Sequence, residues 1–159
     1  MNNNYAVING KKIELTDEQI AALGIETRKR LFDKVDDGGP YYFINCYGDI
    51  EADSREDDAL FDNVNYFNDK AFAEQVALHQ LLNRKLLKFA YENDCEDREW
   101  GTEHEHWRIY YDTDSDTFGV DVNEMWKQQG VYFSTSRGAK RAIEEVIKPF
   151  IKEHPEFVW

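Results

Sequence analysis

A long amphipathic segment at residues 69–93 constrains the fold of this chain more than any other feature. Its apolar side chains recur at steps of three and four residues, as one face of an α-helix requires. That face contains Phe72, Val76, His79, Leu82, Leu86 and Phe89. Leu78, Leu81 and Leu87 widen the apolar stripe. We therefore predict a well-buried helix, with His79 as a core histidine.

Short β-prone segments lie on both sides of this helix. They cover residues 41–46, 64–67, 107–122 and 131–133, and the longest alternates as a hairpin. A second helix with an apolar face should follow, capped by Ser134 or Thr135 and kinked or ended by Pro149. Near the N-terminus, Asn9-Gly10 favours a tight hairpin turn, and a capping box from Thr16 to Gln19 predicts a short helix.

The two halves of the chain follow one plan. An aromatic strand opens each half, at Tyr41 and at Trp107, and a Tyr-Phe pair follows 25 residues later. A polar cap comes next, Asn68 or Ser134, and each helix has alanine at the matching position. The equivalent pairs are Tyr66-Phe67 with Tyr132-Phe133, and Ala73 with Ala139.

This plan predicts an α+β fold in a single domain of residues 1–159. The fold would contain a duplicated β-β-β-α unit, in which antiparallel strands pack against two main helices. The copies would span about 41–93 and 107–152, behind an N-terminal extension of residues 1–40. The alternative is that two strand-then-helix segments arose by chance, since a capped helix after a strand is a common local solution.

The charge of the chain excludes several classes of function. The formal net charge is -13, and residues 35–126 contain 23 acidic and 7 basic side chains. Such a balance disfavours direct binding to nucleic acid or to anionic membranes, since both depend on Lys and Arg. The absence of a secretion signal and of a transmembrane run predicts a cytoplasmic protein. Cys46 and Cys95 should be reduced thiols, with Cys46 as a small core residue.

Five short motifs resemble a known group of proteins. They are YYFIN at 41–45, YGDI at 47–50, NYF at 65–67, WRIYYD at 107–112 and GVYFST at 130–135. These motifs resemble small, mostly uncharacterised phage and prophage proteins of Gram-positive bacteria, over about residues 28–150. The resemblance implies a virus-encoded protein that acts in the bacterial cytoplasm or in the particle. It implies no reaction, because the motifs are strand and cap residues.

The residues that could carry chemistry form no complete catalytic motif. His104 and His106 are candidate metal ligands, but a third ligand would have to come from elsewhere. Asp112, Asp114 and Asp116 resemble the start of a calcium loop, yet positions six and twelve of that loop hold Thr117 and Asn123. We therefore expect no catalytic residues, no cofactor and no metal, and a metal-dependent enzyme is only the third reading.

An acidic run suggests a binding function instead. We call it the acidic surface, and its members are Asp49, Glu51, Asp53, Glu56, Asp57, Asp58 and Asp62. Together with Asp112, Asp114 and Asp116, these carboxylates could imitate the phosphates of a nucleic acid. The expected partner is then a nucleic-acid-binding host protein, such as a CRISPR or restriction nuclease. A solvated loop without function is the simpler interpretation of the same run.

The final residues suggest a second kind of contact. Phe157 and Trp159 are apolar and follow Pro155, so they either fold back onto the sheet or insert into a neighbour. In the second case the chain would be a self-assembling phage accessory protein, with a second copy of itself as partner.

Overall fold

The computed structural model describes residues 5–8, 11–23, 31, 32, 34, 39–55, 58–98, 101, 103–123 and 129–159. The strands are β1 (Tyr5–Ile8), β2 (Lys11–Glu14), β3 (Tyr41–Ile44), β4 (Ile50–Asp53), β5 (His106–Asp112), β6 (Thr117–Asn123) and β7 (Tyr132–Phe133). The α-helices are α1 (Asp17–Ala22), α2 (Asp58–Asp62), α3 (Lys70–Glu92), α4 (Ser136–Ala142) and α5 (Lys148–Glu153).

The strands form three small antiparallel sheets, so the α+β class is confirmed. β1 pairs with β2, β3 pairs with β4, and the third sheet has the order β6-β5-β7. The N-terminal hairpin and the short helix α1 are also present. The capping box before α1 is closed in both directions, because Thr16 N–H donates to Gln19 and Gln19 N–H donates to the Thr16 hydroxyl.

The helix predicted at 69–93 is α3, and its ends match the sequence. The Asp69 carboxylate accepts from the backbone N–H of Phe72 and caps the first turn. The apolar stripe of α3 packs in the main core with residues of β7, α4, α5 and the tail. Its buried members include Leu82, Leu86 and Phe89, which pack in one cluster with Phe133, Ile147 and Phe150.

One expectation about α3 was wrong. His79 is exposed rather than a core residue. Its ring lies against Phe157, with 4.7 Å between the ring centroids. The side chain therefore packs against the C-terminal tail at the edge of the core.

The helix after β7 continues past Pro149. Thr135 caps its start by accepting from Gly138 N–H. A π-helical segment (Ile143–Ile147) then separates α4 from α5, and Pro149 lies in the first turn of α5. Lys148, the residue before Pro149, donates its N–H to the Ile143 carbonyl five residues back, so the ladder is already widened where proline has no N–H to donate. The wider π turn therefore accommodates Pro149 without ending the helix.

The two halves share several local contacts. Phe67 exchanges both backbone hydrogen bonds with Tyr42, as an isolated third-strand bridge beside β3. Phe133 of β7 is opposite Trp107 of β5, one residue before Arg108, which is the equivalent of Tyr42 when Tyr41 is matched with Trp107. The cap of α3 is Asp69, one residue later than the predicted Asn68, and the cap of α4 is Thr135, one of the two caps predicted for that helix.

None of the helices in the described ranges has the length and apolar character needed to cross a bilayer.

Candidate functional site

The β3–β4 hairpin holds the first part of the acidic surface. β3 ends at Ile44 because the Asn45 side chain reorganises the turn: its Oδ1 accepts from the N–H groups of Tyr47 and Asp49, at 2.8 and 3.0 Å. The Asn45 amide also donates to Glu51, 2.7 Å away. Two backbone hydrogen bonds, from Asn45 N–H to the Asp49 carbonyl and from Gly48 N–H to the Asn45 carbonyl, also close this turn. The Asn45 side chain thus helps to hold the turn and fixes where the Glu51 carboxylate lies.

Two further carboxylates of the acidic surface already have basic partners. Asp53 accepts from the Arg55 guanidinium at 2.7 Å and from the backbone N–H groups of Ser54 and Arg55. The Arg55 side chain and these backbone donors hold the pKa of Asp53 well below its usual range, so it stays ionised. Asp58 forms an ion pair with Lys34.

The remaining members of the acidic surface are Asp49, Glu56, Asp57 and Asp62. Asp49 and Asp62 are exposed, and neither side chain has a hydrogen-bond or ion-pair partner within the described ranges. Glu56 and Asp57 lie outside the described residues. Asp49 and Asp62 are therefore the described carboxylates of the acidic surface that are available to a binding partner.

The β5–β6 turn holds Asp112, Asp114 and Asp116. The pair Asp112–Thr117 closes a loop of residues 113–116. Asp112 accepts from the Ser115 hydroxyl at 2.8 Å and from Asp114 N–H at 3.0 Å, and these two contacts lower its pKa. Asp116 accepts from the Tyr111 hydroxyl, which raises the pKa of Tyr111. Two of the three carboxylates, those of Asp112 and Asp116, therefore accept hydrogen bonds from residues of the β5–β6 hairpin itself.

The two candidate metal ligands have different surroundings. His104 is exposed, whereas His106 is completely buried at the start of β5. His106 Nδ1 lies 2.6 Å from Asp97 Oδ2, and Nε2 lies 2.9 Å from the carbonyl oxygen of Gly101. Both neighbours are acceptors, so neither ring nitrogen is available to a metal ion. His106 instead ties the 97–101 segment to β5.

No cluster suited to a metal ion occurs in the part of the chain that the structure describes, where three or more His, Cys, Asp or Glu side chains never converge. Both cysteines are free. Cys46 is exposed in the turn after β3, so its assignment to the core was wrong. Cys95 is buried, and burial raises the pKa of its thiol.

The C-terminal tail folds onto its own chain. Phe157 is buried, and its ring centroid is 5.3 Å from that of Phe150. Trp159 packs edge-on against Phe118 at 4.8 Å and remains 42% exposed. The Gln75 amide clamps this tail, since it donates to the Glu156 carbonyl at 2.7 Å and accepts from Val158 N–H at 3.0 Å.

Asn65 is a second clamp that the sequence reasoning did not identify. Its amide accepts from Ile44 N–H at 2.9 Å and donates to the Ile44 carbonyl at 2.8 Å. Because Ile44 is the last residue of β3, the amide continues the ladder that the Phe67–Tyr42 bridge begins. The only available sequence signal was a polar side chain two residues before a β-prone Phe.

Comparison with known protein families, with curated proteins and with solved structures finds no match to this chain.

Proposed function

We propose that this chain is a non-catalytic protein that binds a host protein through its acidic surface. The partner would be a nucleic-acid-binding enzyme, such as a CRISPR or restriction nuclease, and the carboxylates would occupy the channel where phosphates normally bind. The resemblance to phage proteins supports this setting, in the cytoplasm of a bacterial host. The observation that carries the proposal is that the β3–β4 hairpin and helix α2 leave the Asp49 and Asp62 carboxylates exposed at the surface.

Charge favours this function over direct binding to nucleic acid or to a membrane. The whole chain has a formal charge of -13, so phosphates would be repelled while a basic channel would attract it. Complementary charge speeds association and selects the partner more than it raises the affinity. Rim contacts of this kind weaken with salt, because the Debye length is only about 8 Å at physiological ionic strength.

The structure indicates which carboxylates to reverse. Asp49 and Asp62 have no structural partner within the described ranges, whereas Asp53 and Asp58 are held in ion pairs. A double variant, Asp49→Lys with Asp62→Lys, should therefore fold normally and lose the partner. The control is Glu103→Lys with Glu105→Lys, since these residues are also exposed and the change in net charge is equal.

Both variants and the parent chain serve as baits in a nuclease-treated bacterial lysate, washed at low and at high salt. The proposal expects a nucleic-acid-binding enzyme on the parent and on the control bait, released by high salt and absent from the Asp49/Asp62 bait. Equal loss of the enzyme from both variant baits would mean that net charge alone is responsible for binding. Equal retention of the enzyme by both would show that the acidic surface is not part of the interface.

Self-association through the tail is the second candidate function. It is favoured by Val158 and Trp159, which are 66% and 42% exposed at the surface. Phe157 already packs within its own chain, so a contact between copies would use its two neighbours. Replacing both Val158 and Trp159 by Ser should then lower the mass measured by sedimentation. An unchanged mass would argue against this candidate.

We also propose that the two halves are copies of one β-β-β-α unit. The caps Asp69 and Thr135 and the antiparallel third-strand contacts of Phe67 and Phe133 support this origin. The strand partners of the two Phe residues, Tyr42 and Trp107, are one residue out of register between the halves. Hydrogen exchange offers a test: the amides of Phe67 and Phe133 should both be protected. Exchange at Phe67 as fast as in an open loop would contradict the proposal.

A further inference from the structure

A cleft of about 480 Å³ opens at the edge of β5, between that strand, helix α3 and the segment that leads into β7. We call it the edge cleft. Its floor is apolar and includes Leu82, Leu86 and Val131, while His79 and Asn83 of α3 lie among its polar lining residues. Its volume is in the range of small-ligand sites, which are mostly apolar with a few polar groups that fix orientation.

The edge of β5 is open in this cleft. Ser134 N–H donates to the Cys95 carbonyl, on the side of β7 that faces away from β5. The N–H and C=O groups of Phe133 therefore face Trp107 of β5. Because backbone groups alternate along an antiparallel strand, those of Ile109 face the same way as those of Trp107.

No partner for these Ile109 groups occurs in the described parts of the chain. The β5–β7 pairing includes only two residue pairs, Trp107 with Phe133 and Arg108 with Tyr132. Continued pairing would place Val131 opposite Ile109, but the β5–β7 ladder does not extend to this pair, and Gly130 before it has a φ of +147°. Ile109 thus presents one donor and one acceptor, side by side, at the wall of the edge cleft.

In the first half of the chain, a side chain satisfies an equivalent pair of backbone N–H and C=O groups. There Ile44 lies two residues after Tyr42, the strand partner of Phe67. In the same way, Ile109 lies two residues after Trp107, the strand partner of Phe133. The N–H and C=O of Ile44 bind the carboxamide of Asn65, two residues before Phe67. The residue two before Phe133 is Val131, which has no polar side-chain atom. The second half therefore lacks the carboxamide that the first half supplies to itself.

From this difference we propose that the edge cleft is a binding site for a primary carboxamide that carries an apolar body. The amide group would pair with the N–H and C=O of Ile109, as Asn65 pairs with Ile44. The apolar body would rest on Leu82 and Leu86. Arg108 and Tyr132 form the neighbouring walls, and neither is required to donate. The proposal does not depend on the acidic surface, since the cleft involves none of its residues.

Benzamide is the first probe, and benzoate is its matched control. Both have the same ring, but benzoate has no N–H donor for the Ile109 carbonyl. Amide resonances of the labelled protein are followed during titration with each compound. Benzamide should shift the Ile109 amide with a dissociation constant on the order of 1 mM, as expected for so small a ligand. Benzoate should leave this resonance in place.

A capped glutamine, N-acetyl-glutamine methylamide, distinguishes a protein side chain from a small molecule as the natural source. A shift of the Ile109 amide with benzamide or with the capped glutamine supports the site. Tighter binding of one of these two compounds indicates whether the natural carboxamide belongs to a small molecule or to a protein side chain. No shift at Ile109 with either compound would overturn the proposal, as would an equal shift with benzoate.

Substitution of Val131 provides an independent test. Val131→Asn supplies an internal carboxamide in the position that Asn65 occupies, so benzamide affinity should fall at least tenfold. Val131→Ala also removes the valine side chain but supplies no carboxamide, so its benzamide affinity should fall less than that of Val131→Asn. Thermal unfolding of both variants verifies that they are folded. If Val131→Asn is folded and binds benzamide as the parent does, the proposed geometry is wrong.

Discussion

Removal of the Asn65 carboxamide tests how the first sheet is closed. Asn65→Ala deletes two hydrogen bonds, of 2.9 and 2.8 Å, and leaves the N–H and C=O of Ile44 without those partners. A neutral hydrogen bond contributes about 0.5–1.5 kcal/mol net, and an orphaned buried group costs more. Because the site is only half-buried, water can satisfy part of the loss. We therefore expect a decrease of about 2 kcal/mol in the free energy of unfolding.

Asn63 offers a matched control two residues away. Its amide makes one exposed hydrogen bond, to the Ala59 carbonyl at 2.8 Å. Asn63→Ala should therefore cost roughly 0.5 kcal/mol or less. Asn65→Asp tests the two hydrogen bonds individually. A carboxylate still accepts from Ile44 N–H, but it repels the Ile44 carbonyl oxygen. The stability of Asn65→Asp should be no better than that of Asn65→Ala at neutral pH.

Urea denaturation, followed by tryptophan fluorescence and by far-UV circular dichroism, measures these differences. Agreement of the two probes is needed for a two-state free energy. If Asn65→Ala loses no more stability than Asn63→Ala, the amide does not close the sheet, and the carboxamide reasoning for the edge cleft loses its precedent.

Three further predictions concern single positions. Val64 has a φ of +56° after α2, where glycine is preferred, so Val64→Gly should raise the melting temperature by about 1–3 °C. A Cβ at Gly138 would lie 2.8 Å from the Cβ of Cys95, so Gly138→Ala should lower the melting temperature by about 3–6 °C despite its better helix propensity. The lowered pKa of Asp53 means that its contact with Arg55 stabilises the fold above pH 3.8 and is lost as the pH falls further. The stability difference between the parent and Asp53→Asn should thus be constant near neutrality and shrink in acid, as pH-dependent urea midpoints would show.

The parts of the fold that the sequence predicted depend on local periodicity. Helix α3 has a continuous apolar stripe, so its extent could be predicted to within a residue at each end, although its cap is Asp69 rather than the predicted Asn68. The β5–β6 hairpin alternates strictly over both strands, which identifies its inner face. The capping box at Thr16 is likewise a local signal, since both of its partners lie within one helical turn.

The errors concern residues whose surroundings are set by distant contacts. Cys46 follows an apolar run, but the Asn45 side chain ends the strand and turns Cys46 outward. His79, expected in the core, is exposed, whereas the candidate metal ligand His106 is buried and contacts Asp97 and Gly101. Nothing in the pattern around a single histidine reveals such partners.

The candidate sites show the same limit. Composition indicated an acidic surface, but it could not show that Asp53 and Asp58 already have basic partners while Asp49 and Asp62 have none within the described ranges. The edge cleft was not predicted at all. It follows from a comparison between Asn65 and Val131, which is meaningful only once Ile44 and Ile109 are known to lie at corresponding strand edges.

The most direct test of the account is competition on the captured partner enzyme. A labelled nucleic acid duplex is bound to that enzyme, and its fluorescence anisotropy is measured as this protein is added. We predict complete displacement by the parent chain, no displacement by the Asp49/Asp62 variant, and full displacement by the Glu103/Glu105 control. A ternary complex, in which the enzyme holds duplex and protein together, would contradict nucleic-acid mimicry.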